Sequence, residues 1–310
     1  MRFELTILGS NSAIPANHRF PSAQVLNVMD RLYLIDCGEG TQMRMTEYQV
    51  RRNRIHQIFI SHLHGDHVYG LVGLLTTMNL NGRKEKMQLF SPAGLREFLE
   101  SQFFYSQVVL AYELEFHVVD DQRHQLLFED GVVEVYSIPL EHRIPSTGFL
   151  FREKQRQRNI QPTAITEYGL SIPQIEAVKR GEAVTVADGR IIANASITLP
   201  PYRSRSYAYC SDTCYLPQLQ HLLRGVDLLY HETTFLHDMV DQAVKTKHST
   251  ALQAATLARD AGVGQLLMGH YSSRYKELSP LLEEARSVFP NSVLGREGGQ
   301  YSVAPEREAV

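Results

Sequence analysis

Residues Ser61-His62-Leu63-His64-Gly65-Asp66-His67 place three imidazoles and one carboxylate within six positions, directly after the apolar run Ile58-Phe59-Ile60. Such a run ending in a polar turn reads as a buried β-strand. Its carboxyl end is where an α/β sheet mounts its chemistry. Histidine is the commonest metal ligand, and carboxylate oxygen also binds zinc. One histidine there would pass for a surface loop. An H-x-H-x-D-H run does not, because a structural turn has no reason to collect ligands on two sides.

Further candidate ligands recur at the same kind of place. His142 follows the second arm of a hairpin, Leu126-Leu127-Phe128 and Val132 to Tyr136 about the turn Asp130-Gly131. Asp212 follows Tyr207 to Cys210, and His270 follows Leu266 to Met268. Alone, each has a plainer reading: His142 as a turn residue between Pro139 and Pro145, Asp212 as a helix cap, His270 as a core histidine. Their joint recurrence points to ligands converging on one sheet edge. Seven ligands exceed the three or four that one zinc takes and suit two ions. Imidazole and carboxylate without thiolate favour zinc, manganese or iron over copper(I). Asp212 could bridge two ions through its two oxygens.

Around these residues the chain alternates strand and helix signals. Strands are expected at Phe3 to Leu8, Ala23 to Val28, Leu32 to Ile35 and Tyr301 to Val303. Helices are expected from Gln42 behind Thr41, from Val68 to Leu80, from Pro92 to Phe104, from Ala251 to Ala261 behind Ser249 or Thr250, and from Pro280 to Phe289. From 152 to 205 the alternation lapses, so the segment reads as an insertion that need not have its own core. It opens with Arg152, Lys154, Arg156 and Arg158 against Glu153 alone, a run that could bind phosphates or simply face solvent. With 310 residues the chain can form one large domain or two small ones. Its formal net charge of −3 gives no whole-chain sign of a nucleic-acid partner. Three cysteines without a Cys-x-x-Cys pair read as thiols of a cytoplasmic protein. No apolar run approaches the ~20 residues of a membrane-spanning helix.

The H-x-H-x-D-H motif with later His, Asp and His resembles the metallo-β-lactamase superfamily, and the wider set of blocks resembles its ribonuclease Z family. The blocks are Thr6 to Ser12, Asp36-Cys37-Gly38-Glu39-Gly40-Thr41, Ser61 to His67, Leu140-Glu141-His142 and Tyr209-Cys210-Ser211-Asp212-Thr213. They continue with His231-Glu232-Thr233, His248-Ser249-Thr250-Ala251 and His270-Tyr271-Ser272-Ser273-Arg274-Tyr275. The resemblance implies an α/β fold, a four-layer αββα metallo-β-lactamase-like sandwich spanning 1–310 as one domain. Residues 152–205 would be an inserted flexible arm that grips tRNA. It implies two Zn2+ per chain, a homodimer, and an endonuclease that removes the 3′ trailer from precursor tRNA to leave a 3′-hydroxyl.

Carried over by position, one zinc takes His62, His64, His142 and Asp212, and the other takes Asp66, His67, Asp212 and His270. Asp66 would be the proton acceptor. His248, oriented by Glu232, would be the proton donor. Substrate contacts would come from Arg19, Arg274 and the arm residues Arg152, Lys154, Arg156 and Arg158. Two stretches depart from the family pattern. The first loop reads Pro15-Ala16-Asn17-His18-Arg19-Phe20, where many members carry Pro-x-Lys-x-Arg-Asn. The arm tip Gly169-Leu170-Ser171-Ile172-Pro173-Gln174 has fewer glycines and prolines. The same metal centre would also serve a small-molecule phosphodiesterase or sulfatase. A redox member with iron lacks a flavin-binding domain here, and an RNA-binding scaffold would not need the catalytic residues.

Overall fold

Strict alternation along the strands builds the layers. Val25 points to one face of its strand and Leu26 to the other; Leu34 and Ile35, Ile58 and Phe59, and Leu89 and Phe90 divide in the same way. Strands buried on both faces read as near-continuous apolar runs, which is how these segments look in the sequence. The computed structural model describes residues 2–308; Met1, Ala309 and Val310, the ends of the expected 1–310 domain, lie outside them.

Two seven-stranded sheets result. The first runs in the order Gln300–Ser302, Phe3–Gly9, Ala23–Val28, Arg31–Ile35, Ile55–Phe59, Met87–Ser91, Leu114–Val118. The second runs Ser292–Leu294, Gln265–Gly269, Leu228–Glu232, Ser206–Cys210, Thr147–Glu153, Val133–Pro139, Leu126–Glu129. Phe59, Phe90, Phe149, Phe151, Tyr207, Tyr209 and Tyr230, drawn from both sheets, form one core between them. Helices Leu71–Leu80 and Leu95–Tyr105 cover the outer face of the first sheet through Leu74, Leu75, Met78 and Leu99. Helix Ala251–Ala261, with Ala254, Leu257 and Ala258, covers the second. The architecture is therefore the expected αββα sandwich. Arg31–Ile35, Ile55–Phe59 and Met87–Ser91 run parallel in one sheet; Ser206–Cys210, Leu228–Glu232 and Gln265–Gly269 do so in the other. The carboxyl ends of these strands carry six of the seven sequence-predicted ligands, and the seventh, His142, follows Val133–Pro139.

Two local expectations change. The single helix from Val68 to Leu80 is broken into Gly65–Val68 and Leu71–Leu80. The break lies where Gly70 donates its N–H to the Cys37 carbonyl at 2.9 Å, packed so closely that a Cβ on Gly70 would stand 2.1 Å from the Gly38 oxygen. Thr41 does not cap its helix. It donates its hydroxyl to the Gly38 carbonyl at 2.6 Å, and Gly40, at φ +82°, takes the cap position. Thr250, by contrast, does cap, accepting the Gln253 N–H at 3.2 Å.

The chain divides into two compact units, one running to Arg152 and resuming at Ser206–Val303, the other comprising Glu153–Arg205 and the chain end from Ala304. The second unit has a core of its own, Ala164, Leu170, Val178, Val184, Val186 and Ile197. It is built from helices Pro162–Glu167 and Ile172–Lys179 and two short strand pairs. At its root Arg205 donates to both carboxylate oxygens of Glu153, at 2.7 and 2.9 Å, with both residues buried. No helix among the described residues is long and apolar enough to cross a membrane.

Candidate metal centre

The turn after Ile55–Phe59 sends its four polar side chains in two directions. His62 Nε2 faces His64 Nδ1 at 3.1 Å, with His142 and Asp212 completing that group. His67 Nε2 faces His270 Nε2 at 3.4 Å, with Asp66 Oδ2 3.5 Å from each. Asp212 stands between the groups and divides its oxygens. Oδ2 lies 3.6 Å from both His62 Nε2 and His142 Nε2, while Oδ1 lies 3.2 Å from His67 Nε2 and 3.0 Å from His270 Nε2. All seven sequence-predicted ligands are thus brought together.

The remaining ring nitrogens are committed elsewhere, which fixes where the lone pairs point. His67 Nδ1 donates to Asp36 Oδ2 at 2.7 Å, and His142 Nδ1 donates to the Lys247 carbonyl at 2.9 Å. Ser61 gives its hydroxyl proton to Asp36, so it accepts from His62 Nδ1 at 3.1 Å. Thr234 gives its own to Glu232 and accepts from His270 Nδ1 at 3.0 Å. Each of these four imidazoles therefore directs Nε2 inward, beside the carboxylate oxygens of Asp66 and Asp212, where a bound metal ion could take the place of a proton. His142 Nε2 is buried without a hydrogen-bond partner. Apart from the Ala13 N–H to Asp66 Oδ2 and the Ser211 hydroxyl to Asp212 Oδ1, acceptors crowd together here. Such crowding is costly unless a cation lies among them, and a nitrogen and oxygen donor set fits a divalent metal.

The electrostatics agree. Burial holds His62 well below its ordinary pKa and brings His142 down to about 4, keeping both neutral and able to ligate. Burial lowers His64 too, with Arg143 adding weakly to the effect. Burial also opposes charge on His270, but Asp212 and Asp66 outweigh it and push its pKa up to about 10. His67 is raised by Asp66, Asp212 and Asp36 in the same way. Desolvation works against ionising Asp66, yet His67 and His270 hold its carboxyl far below the usual carboxylate range. The carboxylates that stabilise positive charge on these rings would stabilise a metal ion between them.

Beyond the ligands, Glu232 is fully buried and accepts from His248 Nδ1 at 2.8 Å. Burial opposes charge on His248, but Glu232 outweighs it and raises its pKa. His248 Nε2 lies 3.9 Å from Asp212 Oδ2. The cleft beside this centre holds about 400 Å³ and is lined by Ile14, Glu39, His64, Asp66, Tyr69, Arg143, Asp212 and His248 among others. A larger cavity of about 640 Å³, around Arg54, His56 and Arg83, contains none of the seven ligands.

The expected substrate residues are placed less uniformly. Arg19 is engaged within the protein, donating to Asn11 Oδ1 at 3.0 Å and to the Tyr275 carbonyl at 2.6 Å. Asn17, in the first loop's lysine position, donates to the Ser273 carbonyl at 2.8 Å. Arg274 lies over Phe235, 5.0 Å from its ring centroid, and Phe235 in turn packs against His248. Arg152 is exposed and Lys154 half-buried. Arg156 pairs with Glu153 at 2.5 Å and Arg158 donates to Thr198 at 2.9 Å, so both serve the arm's own structure. Asp36 had no role in the sequence reading beyond a tight turn. Its carboxylate also accepts from Tyr209 at 2.6 Å and from Ser61 N at 2.7 Å. Like the ligands, it is a carboxylate just after a β-run, and that was the available signal.

Comparison with known proteins gives three concordant likenesses and one partial match. Ribonuclease Z of Bacteroides fragilis (strain YCH46) is 44% identical over 296 residues, covering 96% of this chain and 97% of that protein. The crystal structure of human tRNase Z, short form, superposes with a TM-score of 0.70 at 27% identity, covering 97% and 99% of the two chains. The metallo-beta-lactamase fold protein YhfI from Bacillus subtilis, 17% identical, covers 98% of this chain and 100% of its own with a TM-score of 0.69, a likeness of fold. A family model described as Anti-Pycsar protein Apyc1 matches residues 3–154.

Proposed function

Because the chain belongs to the ribonuclease Z family, we propose that it is a metal-dependent endoribonuclease that removes the 3′ trailer from precursor tRNA and leaves a 3′-hydroxyl. The observation that carries this reading is the division of Asp212 between two groups of imidazoles. Two zinc ions per chain fit that division. One would be held by His62, His64, His142 and Asp212, the other by Asp66, His67, His270 and Asp212. Such ions would polarise the phosphodiester as Lewis acids and bring water to nucleophilic strength near neutral pH. Asp66, on the cleft wall, takes the proton of the attacking water. His248, held at Nδ1 by Glu232, gives the proton at Nε2 to the departing 3′ oxygen. The P–O3′ bond breaks and the phosphate remains on the trailer.

We assign segment 152–205 to tRNA binding, with Arg152 and Lys154 as its phosphate contacts and Arg274 as a contact on the cleft side. The first experiment incubates the purified protein with a precursor tRNA bearing a 3′ trailer, with and without chelator. Cleavage at the trailer junction, abolished by chelator and restored by zinc, is expected. A chain lacking residues 161–197 runs in parallel, an excision that joins the paired Ile160 and Thr198. It should lose most tRNA cleavage and keep hydrolysis of a small phosphodiester. Absence of tRNA cleavage beside fast small-diester turnover would instead support the small-molecule phosphodiesterase, which the same centre could serve.

We further propose a homodimer acting in the cytoplasm, a reducing compartment that suits its three free cysteines. Light scattering should return twice the chain's 35.2 kDa. A monomer mass would refute the dimer.

A further inference from the structure

One aromatic in the cleft is fixed in place yet left open. Tyr69 follows Asp66 by one helical turn, and its ring lies against Gly65, between His64 and Asp66. A Cβ built on Gly65 would stand 2.2 Å from Tyr69 Cε2 and 2.6 Å from Cζ. Phe98, from helix Leu95–Tyr105, stacks on the same ring at 6.2 Å between centroids and 22° between planes. Two contacts therefore set the ring's orientation. Tyr69 nevertheless stays 65% exposed, and it lines the cleft that holds His64, Asp66, Asp212 and His248.

Burying such a ring in the core would have been the ordinary outcome. A large aromatic held rigidly at the mouth of a polar cleft offers a face at little entropic cost. Arg143 lines the same cleft, directly after His142, and is exposed without an ion-pair partner among the described residues. Glu39 is the remaining carboxylate of the lining besides Asp66 and Asp212, so a phosphate is favoured only on the Arg143 side. An aromatic face beside an unpaired cation is the arrangement by which proteins hold single-stranded nucleic acid. Bases stack on the ring, and the backbone follows the charge.

We propose that Tyr69 and Arg143 form a nucleotide subsite next to the scissile phosphodiester, Tyr69 stacking an unpaired base and Arg143 holding the adjoining phosphate. The proposal rests on the endoribonuclease reading above and deepens it. The site takes an unstacked nucleotide, so the substrate must be single-stranded on at least one side of the cut. A duplex end would have to fray to reach it.

The test is a cycle between protein and substrate. Three precursor tRNAs are used: one intact, one abasic at the nucleotide 5′ of the cut, and one abasic at the nucleotide 3′ of it. Tyr69→Ala should raise KM on the intact precursor on the order of 10–100-fold, the range expected from one lost base stack. On one of the two abasic precursors the same substitution should have almost no effect. An equal effect on all three precursors overturns the stacking role. Metal content, read by mass spectrometry, should stay at the wild-type value; if it falls, Tyr69 acts by supporting the Gly65 turn and the subsite is refuted.

For Arg143→Gln, the slope of log(kcat/KM) against log salt should shrink by about 0.7, as for one phosphate contact on a single strand. An unchanged slope overturns the arginine's part. If the wild-type protein cleaves no precursor, the function itself fails and the subsite falls with it. Cleavage with no Tyr69 coupling rejects the subsite alone.

Discussion

Asp212→Ala is expected to release both metal ions and to lower phosphodiester turnover by roughly four orders of magnitude, about 5.5 kcal/mol of transition-state stabilisation. The size follows from where the carboxylate stands. Among the described residues, Asp212 is the one whose two oxygens face different groups of imidazoles, Oδ2 toward His62 and His142 and Oδ1 toward His67 and His270. It is 3% exposed, so no water enters easily to take its place. Removing it would leave His62, His64 and His142 without a carboxylate ligand and His67 and His270 with Asp66 alone, a poor host for divalent charge. Metal content after dialysis measures the effect. Two ions retained per chain would refute the bridging role, and one retained ion would restrict Asp212 to a single site. A comparable substitution of His64 removes a ligand of one group only, on a half-exposed ring, and should be milder.

The ligands were legible in sequence because parallel strands carry their chemistry at their carboxyl ends. Each of His62, Asp212 and His270 stands one to three residues past such a strand, where a β-run visible in the letters stops. His142 was legible for a related reason, since it follows the strand Val133–Pro139, the second arm of an antiparallel pair with Leu126–Glu129. What the letters hid was mostly the contribution of distant backbone. The break before Leu71 depends on the Cys37 and Gly38 carbonyls, more than 30 residues away, and the pattern of Val68 to Leu80 has no means of registering them. Thr41 looked like a cap for a local reason instead, its true acceptor being a carbonyl three residues back in a turn set by Gly40. The core of the arm escaped notice because its six residues come from short elements and the turns between them, none long enough to show a period. Charge counting likewise overstated the arm's cations. Arg156 and Arg158 look alike in sequence to Arg152, but Glu153 and Thr198 engage them.

His248 carries the second large prediction. His248→Ala should lower kcat on precursor tRNA by ~10²–10⁴-fold, the range for losing a general acid, while both metal ions remain bound. The geometry separates the two roles. Nδ1 is tied to the buried Glu232 at 2.8 Å, which steadies the ring and favours its protonated form, leaving Nε2 as the proton-bearing atom toward the cleft. The alternative, a direct ligand role, has some footing in the proximity of Asp212, His248 and His270. Metal analysis distinguishes them, since loss of an ion from His248→Ala would make the residue a ligand. A second readout comes from the leaving group. A nitrophenyl phosphodiester departs as a weakly basic phenolate that needs little protonation, so the substitution should cost far less on it than on tRNA, whose departing 3′ oxygen is strongly basic. An equal loss on both substrates would sink the proton-donor role even with metal retained. Glu232→Gln should follow the same pattern in weaker form, because the amide can still accept a hydrogen bond from Nδ1 but no longer stabilises the imidazolium.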